Sequence, residues 1–167
     1  ITASDNVNIT SNRGEITVGT TGALTPDEVT AQGGRIEIST APLGGKIDTY
    51  AILTAETNVE ISSGGDISIF ENITANTGEI DVDANAELYI SSADLTATGG
   101  TNPQRIMLNS VTDLTVTDAS NITADDDIWL HTSTRDIMLA NGSKITSNEG
   151  SVDVYAATNN RVITMHD

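Results

Sequence analysis

Residues 73–82 read Ile-Thr-Ala-Asn-Thr-Gly-Glu-Ile-Asp-Val: an aliphatic-Thr-Ala triplet, a short gap holding a glycine, then an apolar-x-apolar pair. The pattern recurs seven times. Its copies begin at Ile9, Val29, Leu53, Ile73, Leu95, Ile122 and Ile145, with spacings of 20, 24, 20, 22, 27 and 23 residues. The apolar-x-apolar part opens at Ile16, Ile36, Val59, Ile80, Ile106, Ile128 and Val152. A third, less regular apolar stretch follows, marked by Leu24, Ile47, Ile67, Leu88, Leu114, Ile137 and Val162, and Ile1 reads as one more copy of it.

Each run is too short for an amphipathic helix, which needs about ten residues or more. Alternation of apolar and polar residues instead gives strands with one buried face. Gly33-Gly34, Gly44-Gly45, Gly64-Gly65 and Gly99-Gly100 punctuate the runs as turns. Three short strands in a mean period of roughly 23 residues describe one coil of a parallel solenoid. The expectation is an all-β, right-handed parallel β-helix (β-solenoid) of about seven three-stranded coils, one domain over residues 1–167. At about 4.8 Å per coil, the rod is on the order of 35 Å long. A meander or sandwich of hairpins is the rival fold, and it does not predict one motif in the same phase with the same neighbours. The segment 98–104 adds residues between strands and reads as an outward loop.

Composition agrees with a thin, repetitive core. The 167 residues include 25 Thr and 19 Ile, which favour strands, but only 3% aromatic residues. A sandwich or barrel of this size would bury more rings. Twenty-four acids against 7 bases leave a net charge of −17, which argues against nucleic acid and anionic membrane surfaces as partners. No apolar run reaches the length of a membrane span. With no cysteine, disulfides and Cys-based zinc sites are excluded.

Function in a solenoid lies in its outward columns. One is a threonine per coil: Thr10, Thr30, Thr54, Thr74, Thr96, Thr123 and Thr146. A single rank reads as a β-branched ladder rather than the paired ranks an ice-binding face requires. A second column runs Thr17, Glu37, Glu60, Asp81, Met107, Trp129 and Asp153. Stacked carboxylates repel, so Glu37, Glu60 and Asp81 are either solvated or bridged by a hard cation, for which calcium is the candidate. The turn run Asp125-Asp126-Asp127 is the second such candidate. Neither has the spacing of an EF-hand or a calcium β-roll, and otherwise no cofactor is expected. Met107 beside Trp129 suggests an interface, unless the 98–104 loop covers them. His131 and His166 have no nucleophile motif beside them, and the acids do not cluster at one coil, so no enzyme is expected.

The phrases GEITV, GGDISI, NITANTGEIDV and GSKITSNEGSVDVYA resemble the repeats of filamentous-haemagglutinin-type exoproteins and related autotransporter shafts, over essentially the whole chain. The resemblance implies a right-handed β-helical shaft from a secreted or cell-surface bacterial adhesin. The Asn-Pro motifs of that family's secretion domain are missing, so shaft rather than secretion module is implied, and no binding residues carry over. Neither end of the sequence reads as a capping helix. Ile1, Val162 and Ile163 are therefore expected at open strand edges, in a piece of a longer shaft or in a subunit stacking head to tail. The sequence reading is a non-enzymatic extracellular filament whose partners are itself and, in its adhesive role, glycans. The alternative is a carbohydrate-binding or carbohydrate-processing β-helix with Trp129 and nearby acids at its site.

Overall fold

An aliphatic residue at every second position gives a strand one buried face, but its amide and carbonyl groups stay unpaired until another strand lies beside it. The computed structural model shows how the chain meets that demand. It describes residues 1–157 except Ala23, Leu43 and Asn102, together with the backbone of Ile163–Met165. The described elements are all strands, and every pairing is parallel. They stack as a β-solenoid with three faces.

The first face carries Thr2–Ala3, Asp27–Ala31, the latter half of Ile47–Ala55, Ile73–Ala75, Asp94–Ala97, Asn121–Ala124 and Lys144–Ser147. The second carries Val7–Ser11, Ile36–Thr40, Val59–Ser63, Ile80–Ala84, Ile106–Ser110, Ile128–Thr132 and Val152–Ala156. The third carries Ile16–Gly19, the early half of Ile47–Ala55, Ile67–Ile69, Leu88–Ser91, Leu114–Thr117, Ile137–Leu139 and Ile163–Met165. On the first face Thr2, Thr30, Thr54, Thr74, Thr96, Thr123 and Thr146 are in register. Six turns separate Thr2 from Thr146, a mean of 24 residues per turn.

Inward positions form continuous columns. On the second face Ile36, Val59, Ile80, Ile106 and Ile128 stack in register and are fully buried. On the first face the inward position after each threonine is alanine from Ala3 to Ala124, then Ser147. Columns of identical small or branched side chains make a narrow core that has little room for rings.

The first coil corrects the sequence reading. Ile9-Thr10-Ser11 is not a first-face triplet: its strand pairs with Ile36–Thr40, placing Thr10 opposite Ser39 on the second face. The first-face triplet is Ile1-Thr2-Ala3, paired with Thr30 and Ala31, so Ile1 is no copy of the third stretch. Ile16 belongs to the third face, opposite Ile47, and Thr17 leaves the acidic column to Asn8. Leu24 marks no strand; it is 103% exposed between Ile16–Gly19 and Asp27–Ala31. Val162 lies outside the described residues, and Ile163 is the partner of Ile137. In the insertion Gly99, Gly100, Thr101 and Pro103 are exposed as expected, but Gln104 turns back and is buried.

Ile47–Ala55 passes from third face to first without a break, so the chain above must come close at that corner. Gly19 makes this possible. Its φ is +89°, and a Cβ there would lie 2.6 Å from the Tyr50 carbonyl. Gly19→Ala is therefore expected to cost about 2 kcal/mol or more in chemical denaturation, from the left-handed backbone and the clash together. Two aliphatic truncations test the corrected phase. Ile80→Ala should cost about 2–5 kcal/mol, whereas Leu24→Ala should stay within about 0.5 kcal/mol of the parent.

Candidate functional site

Second-face residues that point outward stack in two columns. The first runs Asn8, Glu37, Glu60, Asp81, Met107, Trp129 and Asp153, one coil apart in register. The structure thus brings Glu37, Glu60 and Asp81 side by side and sets Met107 against Trp129, as the repeat implies.

A cation already sits among these carboxylates. The Arg35 guanidinium is 2.9 Å from Glu37 Oε2 and 3.6 Å from Glu60 Oε1. Among the described residues, no three His, Asp or Glu side chains converge closely enough to hold a metal ion. Asp81 lies beyond the reach of Arg35. Its Oδ1 is shielded from solvent with no hydrogen-bond partner among the described residues. Burial, followed by repulsion from Asp83, Glu60 and Glu79, pushes the Asp81 carboxyl up to about 6.

Asp125, Asp126 and Asp127 each accept hydrogen bonds from neighbouring coils. Asp125 accepts from Gly99 N–H at 2.9 Å and from Asn148 Nδ2 at 2.8 Å. Asp126 accepts from Gln104 N–H at 2.8 Å, and Asp127 from both Ser151 N–H and Ser151 Oγ at 2.9 Å. These bonds clamp the coils on either side. They hold Asp125 (through Asn148 first) and Asp127 (through the Ser151 amide first) below the usual carboxylate range.

The same device recurs at the other corners, and the sequence reading missed it. Asn6 accepts the Arg35 N–H and Asn58 the Glu79 N–H just before the second face. Asp66 and Asp113 do so before the third face, Asn72 and Asp94 before the first. In each case a side-chain oxygen one coil away accepts from a backbone amide at the entry to a face. The available signal was Asn or Asp one residue ahead of an apolar run, coil after coil.

Ring contacts also follow the coil repeat. Tyr50 and Phe70 stack on adjacent coils with centroids 4.8 Å apart and planes within 2°, and Phe70 meets Tyr89 at 6.0 Å. Tyr155 stacks on His131 at 5.3 Å. Trp129 is half-buried, with the Arg105 guanidinium over its ring at 5.6 Å; Arg105 also lies 3.8 Å from Glu79. The group over Trp129 is thus a cation from the adjacent coil. His166 lies outside the described residues.

A trough follows the turn from second face to third. Small residues at the last inward position, Thr40, Ser63, Ala84 and Ser110, form its floor and leave a concavity of about 510 Å³. Asp83, Asn109 and His131 stand on the second-face side; Asn85 and Ser133 stand on the turn side. Asn109 Nδ2 donates to Asp83 Oδ1 at 2.9 Å.

No protein-family model, curated protein or solved structure matches the chain.

Asp81 yields a pH prediction. Its folded-state pKa, about 6, lies above its ordinary value of 3.8. The carboxyl therefore favours folding below about pH 4 and loses that contribution as the pH rises through about 6. Asp81→Asn should raise stability at pH 7.5 by about 1–2 kcal/mol after allowance for solvent screening, and should flatten the stability profile between about pH 4 and 6. Thermal melts across that range check both.

Proposed function

We propose that this chain is a structural β-solenoid segment of a secreted or cell-surface bacterial adhesin or filament, and that it acts without catalysis. The observation that carries this reading is the unbroken register of three parallel sheets through seven coils. Such a stack is a stiff spacer, because every coil is hydrogen-bonded to its neighbours and the aliphatic columns are continuous. The net charge of −17 lies outside that core, where it keeps neighbouring rods apart. The resemblance of the repeats to filamentous-haemagglutinin-type shafts supports the bacterial surface setting.

Growth of the rod would proceed along its axis. Val7–Ser11 and Val152–Ala156 are the terminal strands of the second sheet. Near them Ile1 is 71%, Val152 42% and Tyr155 59% exposed. A second copy whose first coil met the last coil of another would continue all three ladders and cover these side chains. That contact is heterologous and does not close on itself. Sedimentation and negative-stain electron microscopy of the 167-residue chain over a concentration series should show filaments one solenoid wide, lengthening with concentration. Val152→Lys with Tyr155→Lys should shorten them. A monomer at every concentration would refute end-to-end assembly.

A further inference from the structure

We infer that the trough between the second and third faces is a binding site for a linear, uncharged oligosaccharide. In a chain of 24 acids, the one carboxylate lining this trough among the described residues is Asp83, and it is engaged by the Asn109 amide. The rest of the lining combines hydroxyl, amide and imidazole groups with the uncharged Pro42, Gly64, Ala84 and Val111. A cation would gain more at the neighbouring acidic column, and an anion would be repelled by the molecule as a whole. A neutral ligand rich in hydroxyl groups suits what remains.

Hydrogen-bonding capacity points the same way. The floor hydroxyls are committed: Thr40 Oγ1 pairs with Ser63 Oγ at 3.3 Å, Ser63 Oγ reaches the Gly45 carbonyl at 2.5 Å, and Ser110 Oγ donates to the Thr112 carbonyl at 3.2 Å. The wall side chains of Ser62, Asn85 and Ser133 make no side-chain hydrogen bond among the described residues. Ser62 stands on the second-face wall with Asp83, and Asn85 and Ser133 stand on the turn wall, so donors and acceptors face a ligand from both sides.

Length completes the case. The trough spans five coils, from Thr40 to His131. At about 4.8 Å per coil it is about 19 Å long, room for about four sugar rings. The rise of a coil is close to that of one ring in an extended β-linked chain, so equivalent wall positions would meet equivalent sugar hydroxyls. An extended peptide has no such match, and the trough presents side chains rather than the free strand edge that peptides use. The site does not depend on end-to-end assembly: a monomeric rod would bind equally, so the two proposals fail separately.

The test is titration of the isotopically labelled 167-residue chain with cello-, xylo-, manno- and β-1,3-gluco-oligosaccharides of two to six units, read by amide chemical shifts. One series at least should shift Ser62, Asn85 and Ser133 saturably. Affinity should rise about tenfold or more from dimer to tetramer and then level off. Asn85→Ala with Ser133→Ala, two surface changes that should leave circular dichroism unaltered, should lower the affinity about tenfold or more; Trp129→Phe should not alter it. The inference is overturned if all four series leave these amides unmoved, or if the shifts centre on Trp129 or Tyr50. Binding that survives the double substitution, an acidic oligouronide that binds as tightly, or a neutral extended peptide that competes equally would also overturn it.

Discussion

A strand of three to five residues cannot satisfy its own amide and carbonyl groups, so each coil of this chain persists only while another coil lies against it. The other features follow from that constraint. Parallel pairing at every step requires the same side chain classes to return every turn, which produces the threonine rank, the alanine column beneath it, and the Ile-Val-Leu columns of the core. Where a coil bends between faces, the ladder is interrupted and another acceptor must replace it. Asn and Asp supply that acceptor from the coil next door.

This gives the acidity two distinct roles. Some carboxylates belong to the fold: Asp94, Asp113 and Asp127 each hold an amide of the next coil. Others belong to the surface: Glu37 and Glu60 are bridged by Arg35, while Asp81 has no ion-pair partner among the described residues and is pushed toward its neutral form. In the outward acidic column, Arg35 bridges Glu37 and Glu60, while Asp81 is half-buried among Asp83, Glu60 and Glu79. The carboxylates of Asp125, Asp126 and Asp127 accept amide hydrogen bonds that join neighbouring coils at a corner.

The fold was legible because the motif keeps its phase from Val29 to Val152. The first coil was not, and the reason is local degeneracy. Ser11 and Ser147 build the same turn, each accepting from a glycine N–H three residues on, Gly14 and Gly150. Yet Ser11 ends a second-face strand and Ser147 a first-face strand. An identical turn serves two corners, so only the partner strand decides which, and short-range pattern cannot report a partner. The outward columns were legible as columns, and Met107 beside Trp129 was found that way. The cation over the Trp129 ring was not: Arg105 precedes a strand by one residue and reaches Trp129 one coil away. The trough was likewise hidden, because its floor is made by the smallness of Thr40, Ser63, Ala84 and Ser110, residues that carry no chemical motif.

Neighbouring coils lying parallel and in register hold the whole structure together, and the threonine rank is the most direct place to measure that register. Nuclear Overhauser contacts in the 167-residue chain should link the Thr54 and Thr74 methyls and the Thr74 and Thr96 methyls, at the inter-strand distance of about 4.8 Å. A scalar coupling should connect the Leu53 amide to the Asn72 carbonyl, which are 3.0 Å apart. Contacts that instead pair Ile73–Ala75 antiparallel with a strand adjacent in sequence, such as Ile67–Ile69 or Ile80–Ala84, would contradict the solenoid and with it every column described above.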